Sequence, residues 1–197
     1  SVFEIDPQRG RAVRLSLPDR VPVQAAYHPD PNRLLVVVER EQGRLGLVLY
    51  DRSREPWRAL AEINDVLLAL PDRASASVVF VRAYKPGIWR ANLDLSDPRE
   101  VDRVAMQGRI RTLAAAADGP WLLDRRPNCR WFWRKLAEPS AQSGRCLGDG
   151  PVMPEGLSYD SAHRRLYVGV SGESGRDIGV LPLSAFELDA PIVARRD

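Results

Sequence analysis

Short apolar runs recur along the whole chain, each closed off by Pro, Gly, Asn or Asp, and this pattern predicts strands. The first complete set reads as an inner strand near Val23 to Tyr27, the turn HPDPN, a strand from Leu34 to Glu39, a hairpin at Gly43, a strand from Leu45 to Tyr50 and an outer strand near Trp57 to Glu62. Pro and Asn in the first turn and Gly in the second supply the backbone angles such turns need. The next set is VLLAL, SVVFVRAY, GIWRANLDL and EVDRVAM; the one after is IRTLAAAA, WLLDRR, CRWFWRKL and GRCLGDG. SVVFV is apolar almost without a break, as expected of a strand covered on both faces. The run Ala114 to Ala117 has helix propensity, but its place in the series puts it on the innermost strand. A last set runs from an inner strand at Gly156 to Tyr159 to an outer strand near Pro191 to Arg195, with a short helical turn expected at SAFELD.

These sets are copies of one unit. HPDPNRLLVVVEREQGRLGLVL lies over YDSAHRRLYVGVSGESGRDIGVL at an offset of 132, which is three times 44. A step of 44 carries Leu34-Leu35-Val36-Val37 onto Val78-Val79-Phe80-Val81 and Gly43 onto Gly87, and a further one carries Trp89-Arg90 onto Trp133-Arg134. A repeat of this length built of short strands is the period of a β-propeller blade. The expected fold is therefore all-β: one propeller domain over residues 1–197 with four-stranded antiparallel blades at 21–65, 66–108, 109–150 and 151–197, and a half-blade at 1–20. In that half-blade Val2 to Asp6 lies over Leu47 to Asp51. A chain opening at Ser1, mid-repeat, is expected to be part of a larger propeller.

Composition narrows the class without naming a reaction. With 44% hydrophobic and 28% charged residues the chain can bury a core, and no apolar run reaches the roughly 20 residues that span a bilayer. Membrane insertion by this chain is not expected. The net charge is only +3, and the arginines are spread over every repeat rather than gathered in a tract, so direct nucleic-acid binding is not expected either. Lys85 and Lys135 are the sole lysines. Guanidinium groups pair bidentately with carboxylates, and 26 acidic residues are present to receive them. Cys129 and Cys146 stand 17 positions apart on strands expected to be antiparallel neighbours, which makes a disulfide the favoured state and a reduced, partly buried pair the alternative. The disulfide would place the chain in an oxidising, periplasmic or extracytoplasmic compartment; a reduced pair would fit the cytoplasm.

VVFVRAYKPGIWRANLDLSDPREVDRV resembles the repeat of TolB-like and WD-repeat-like propellers, including the C-terminal, often periplasmic, half of membrane-anchored winged-helix regulators of the CadC and ToxR kind. That resemblance implies signalling and transcription regulation, with a protein or small-molecule signal as partner and oligomers possible. The family's SPDG turn is replaced here by HPDPN and SYDSAH. MPEGLSYDSAHRRLYVGV is similar instead to the opening of gluconolactonase-like propellers, which implies calcium held with the help of Glu155. Such a site needs several oxygen ligands, yet Gln24, Leu68 and Thr112 stand at the equivalent inner-strand places.

Other chemistry is sparse. There is no G-x-S-x-G elbow and no phosphate loop; His28 and His163 fall in equivalent turns, and Ser158, Asp160 and His163 are too close in sequence to form a triad. The unusual local feature is aromatic: Trp121, Trp131 and Trp133, with Arg130 between them, could stack a ligand or a partner's side chains, while packing between blades explains the same pattern. The expectation is a non-enzymatic sensory or protein-interaction propeller without a cofactor, in the extracytoplasmic part of a bacterial regulator or envelope assembly. The alternative is a metal-dependent lactonase- or esterase-like hydrolase. Convergent carboxylates and amides along the inner strands would favour the enzyme, and an apolar or arginine-lined face would favour binding.

Overall fold

The structure, a computed structural model, describes residues 2–6, 8–15, 17, 20–102, 112–116, 119–126, 129–136, 144–146, 152–160, 162–172 and 175–182. The chain divides into two compact units, Ser1–Val101 and Asp102–Asp197. In the first, β1 (Phe3–Asp6) and β2 (Arg11–Arg14) form a two-stranded sheet. A four-stranded sheet follows, ordered β3 (Val21–Tyr27), β4 (Arg33–Glu39), β5 (Leu45–Asp51) and β6 (Arg58–Asn64). The next runs through β7 (Val66–Asp72), β8 (Ser77–Arg82), β9 (Ile88–Asn92) and β10 (Arg99–Asp102). The second unit contains the sheet of β11 (Thr112–Ala114), β12 (Trp121–Arg126), β13 (Cys129–Lys135) and β14 (Gly144–Cys146), and a sheet of β15 (Val152–Asp160), β16 (Arg165–Gly172) and β17 (Gly175–Pro182). The expected outer strand at Pro191 to Arg195 and the helical turn at SAFELD lie outside the described residues.

The 44-residue register holds to the residue. The second strands of the four sheets open at Arg33, Ser77, Trp121 and Arg165. Each is antiparallel to both neighbours: Leu35 stands between Ala26 and Leu49, Val79 between Leu70 and Arg90, Leu123 between Thr112 and Trp133, and Tyr167 between Ser158 and Val180. Gly43, Gly87 and Gly175, at the turns between second and third strands, all have positive φ (71°, 90° and 122°). L-residues with a side chain rarely adopt this conformation, which is why glycine recurs there.

The continuous apolar strands are explained by covering on both faces. Leu35 and Val37 join Leu47 and Leu49 in a cluster completed by Val66, Ala69, Val78 and Phe80 of the following sheet. The intervening Leu34, Val36 and Val38 turn the other way, onto Leu15, Leu17 and Tyr50. Each such buried side chain contributes about 1.5–3 kcal/mol. In the second unit Leu123 and Trp133 pack with Leu166 and Val168 in the same fashion.

Three departures from the expected strands have local causes. GIWRANLDL stops being strand at Asn92, because Leu95 takes φ 68° in a turn closed by Asn92 and Ser96; its side chain is buried in the core. Alternation along the sequence cannot distinguish a plug of this kind from one more strand position. The innermost strand predicted through Ala117 ends at Ala114, with Ala115 and Ala116 irregular and no helix among the described alanines. Third, the first strands bulge: pairing jumps from Pro22 to Gln24 and from Val66 to Leu68, setting Val23 and Leu67 outside the ladder at positions 44 apart. In β15 the corresponding break leaves out residues 154–156, between Met153 and Leu157.

Candidate interaction surface

Successive antiparallel strands reverse direction, so the turns of a blade collect at two ends. At one end the turns leaving first and third strands are tied by aspartate. Asp30 accepts from the Asn32 N–H, Asp51 from Ser53, Asp72 from Ala74, Asp94 from Ser96, and Asp160 of the second unit from Ala162 and His163. These carboxylates satisfy turn N–H groups, and hydrogen bonding to Ser53, Ser96 and His163 holds Asp51, Asp94 and Asp160 below the ordinary aspartate value. The recurrent Asp at strand ends was visible in the sequence and marks turn chemistry.

The opposite end of the first unit also carries arginines. The turn between β4 and β5 carries Arg40 and Arg44, the segment leading into β3 carries Arg20, and Asn64 and Asp65 link β6 to β7. Together they border a cleft of about 490 Å³. Arg20 donates to Glu62 at 3.0 Å, Arg40 pairs with the same Glu62 oxygen, and Arg44 binds Asp65 through Nε (3.2 Å) and Nη2 (2.9 Å). Beside them, the turn between β8 and β9 exposes Tyr84 and stacks the Arg82 guanidinium 4.5 Å from the centre of the Trp89 ring. The Asp65 carbonyl accepts from the Ala83 N–H at 2.7 Å, joining the two turns. Summed along the sequence these cations look dispersed; the fold gathers them, which is why sequence reading did not single them out.

The first strands of this unit expose apolar groups. Val21, Val23, Tyr27 and Leu67 are all more than two-fifths exposed, and Val23 and Leu67 are the two bulge residues. The Gln24 amide oxygen is spent on the Ala69 N–H of the next sheet (3.1 Å). Glu4 of the two-stranded sheet accepts a fork from Arg52 (3.0 and 3.1 Å) and the Tyr27 hydroxyl (2.9 Å). The Arg52 hydrogen bond is the main reason its carboxyl lies below the usual range.

Two of the predicted site residues, Trp121 and Trp133, do not stand on an exposed platform. Trp121 and Trp133 are buried, their rings stacked at 5.3 Å, with Tyr159 tilted against Trp121 and edge-on to Trp133. Both rings are taken up in packing between β11–β14 and β15–β17. Arg130 and Trp131 lie on β13, and Glu155 in the break of β15, but their side chains are outside what the structure describes. Among the described residues no group of three or more His, Cys, Asp or Glu could hold a metal ion. Cys129 opens β13 and Cys146 closes β14, with their sulfurs bonded and Cα atoms 5.7 Å apart. His28 is buried and its Nδ1 accepts from the Asp30 N–H, whereas His163 is exposed. Among the described residues no helix is long and apolar enough to cross a membrane.

No protein-family model and no curated protein matches the chain. Solved structures do. A chain in the crystal structure of a nidogen/laminin complex superposes with a TM-score of 0.62 at 13% identity, covering 93% of this chain and 68% of that one. The β-propeller domain of Myceliophteria thermophila Cps50 (Swd1) superposes with a TM-score of 0.55, also at 13% identity, covering 91% of this chain; this chain spans 63% of its length. At such identity the likeness carries the fold alone. Joined to the 44-residue register and the antiparallel sheets, it makes this chain an all-β β-propeller fold built of four-stranded blades.

Proposed function

We propose that the chain is a non-enzymatic propeller module that binds a protein partner, and that it serves as the extracytoplasmic, signal-receiving part of a bacterial regulator or envelope assembly. The observation that carries the reading is the surface of the first strands in the first unit. Val21, Val23, Tyr27 and Leu67 are exposed there, and the amide of Gln24 is committed to the backbone. An enzyme of the lactonase type needs the reverse, carboxylates and amides converging on a metal. Exposed apolar side chains suit a protein interface. The nidogen/laminin structure is one of a complex, which supports partner binding by this fold. The Cys129–Cys146 bond supports an oxidising compartment, and the likeness of the VVFVRAYKPGIWRANLDL repeat to the propellers of CadC- and ToxR-type regulators supports a sensory role.

The test is hydrolysis. Purified protein with and without calcium is offered aryl esters and sugar lactones, beside a Glu155→Gln variant. No turnover above the buffer rate, and no change in melting temperature on adding EGTA, is expected. Calcium-dependent hydrolysis lost in Glu155→Gln would make the chain a metal-dependent lactonase or esterase.

A further inference from the structure

The two-stranded sheet repeats half of what the next sheet completes. Ile5 pairs with Ala12 and Asp6 with Arg11, as Tyr50 pairs with Ala59 and Asp51 with Arg58, so β1 and β2 hold the places of β5 and β6. Among the described residues no strand takes the place of β4 beside β1. The Leu15 N–H donates to the Val2 carbonyl at 2.8 Å, and hydrogen bonding alternates along an antiparallel pair, so Phe3 and Ile5 turn their backbone groups to this open edge. Their side chains are 54% and 65% exposed, against 0% and 5% for Val48 and Tyr50 at the corresponding places. Beside the edge lies a cleft of about 80 Å³, bordered by β1 and by Leu15, Ala25, Ala26, Tyr27 and Leu34. One repeat further on, Ala69 and Val78 stand in the places of Ala25 and Leu34, and there Leu35 of the second strand packs with them. The cleft is the space that such a leucine would fill.

We infer that the open edge of β1 takes up an extended segment of a partner protein as an added strand, one with the chemistry of β4: a basic residue followed by three apolar ones. In the complete sheet Arg33, Leu34, Leu35 and Val36 stand opposite Asp51, Tyr50, Leu49 and Val48, so the added residues stand opposite Asp6, Ile5, Glu4 and Phe3. The basic residue then meets the Asp6 carboxylate. The second and fourth residues exchange backbone hydrogen bonds with Ile5 and Phe3 and cover their side chains. The third enters the cleft, and the Glu4 carboxylate across from it is already paired with Arg52. A second copy offering its own β1 would have to set Glu4 opposite Glu4 to engage both Phe3 and Ile5, and like charges directly opposite are destabilising. The site deepens the reading of a protein-binding propeller and rests on it.

Binding is followed by fluorescence anisotropy with a labelled, capped peptide copying Arg33–Glu39, on wild type, Ile5→Lys and, as a control on another exposed apolar side chain, Ile178→Lys. The peptide is expected to bind wild type and Ile178→Lys alike, and to bind Ile5→Lys at least about tenfold more weakly, as should a peptide carrying Leu35→Asp bind wild type. N-methylation of the peptide at Leu34 or Val36 should weaken it to a similar degree, because those N–H groups face β1, while N-methylation at Leu35 should leave binding unchanged. No binding, equal loss from all three N-methylated peptides, or binding indifferent to Ile5→Lys overturns the site. A dimer of the wild type in sedimentation that Ile5→Lys abolishes would give the edge to a second copy and overturn it too. Should Ile5→Lys unfold, the N-methylated peptides decide alone. The hydrolysis assay reads the protein-binding proposal separately, so the site can fail while that proposal stands.

Discussion

The Arg134 guanidinium donates to Asp102 Oδ2 at 2.6 Å with both side chains shut off from solvent. Asp102, the last residue of β10, falls on the second unit's side of the division together with Arg134, and the 44-residue register places Arg134 where Arg90 stands in the preceding sheet. Arg90 pairs with an acid in turn, Asp72, at 3.2 Å. Taking charges out of water is costly, so neutralising one member of a buried pair is expected to cost more than breaking an exposed one. Asp102→Asn is expected to cost about 3–5 kcal/mol in urea unfolding, against about 1 kcal/mol or less for the exposed pair Arg33–Asp30 broken by Arg33→Gln. Equal costs at the two sites would contradict the buried pairing.

His28 makes stability depend on pH in a definite window. Burial disfavours its charged form and lowers its pKa, and its Nδ1 must be unprotonated to accept the Asp30 N–H. Arg33 opposes the charged form and Asp30 favours it. The unfolded chain takes up the proton first, near pH ~6.5. The contribution is therefore complete above that value and lost as the pH falls from there through the lower folded value. Glu4, Asp51, Asp94 and Asp160 have lowered carboxyl pKa values, so their losses come at more acid pH. Melting temperatures at pH 7.5 and pH 5.5 should differ more in wild type than in His28→Asn; an equal difference would remove His28 as the cause.

The Cys129–Cys146 bond closes a loop between residues 17 apart in the sequence and should contribute about 3 kcal/mol by restricting the unfolded chain. Mass spectrometry of protein alkylated before reduction, prepared under oxidising conditions, is expected to show no alkylated thiol. Two alkylated thiols would contradict the bond and withdraw its support for an extracytoplasmic location.

Packing should respond to place in the blade more than to residue type. Leu35, Val79 and Leu123 are at most 1% exposed, whereas Tyr167 is half-buried. On that face Val180, paired with Tyr167, is 49% exposed, and Ile178, paired with Gly169, is 71% exposed. Val79→Ala should cost about 1–3 kcal/mol. Changing exposed Asn32, whose backbone does the bonding in its turn, should cost about 0.5 kcal/mol or less. A reversed order by chemical denaturation would contradict the register.

What could be read from the sequence was whatever repeats. Leu35, Val79, Leu123 and Tyr167 reach second strands as the period requires, and Gly43, Gly87 and Gly175 reach matching turns. Burial did not repeat at Tyr167, because the period dictates which way a side chain points and not what lies opposite. The candidate site was less legible. Trp121 and Trp133 drew attention by composition, yet large apolar rings are the groups that sheet packing consumes. Arg40 and Arg44 share one turn and are near in sequence, but Arg20 joins their cleft from the segment before β3, and that juxtaposition exists only in three dimensions.

The blade register is tested most directly by amide hydrogen exchange followed by NMR. Leu35, Val79, Leu123 and Tyr167 are each paired with a strand on both sides, which sets their backbone N–H groups inside the ladder. The amides of Leu35, Val79, Leu123 and Tyr167 are predicted to exchange at least about a hundredfold more slowly than those of the turn residues Arg54 and Arg73. Any one of the four exchanging as fast as those turns would contradict the assignment of these residues to equivalent central strands, and with it the propeller on which the functional reading stands.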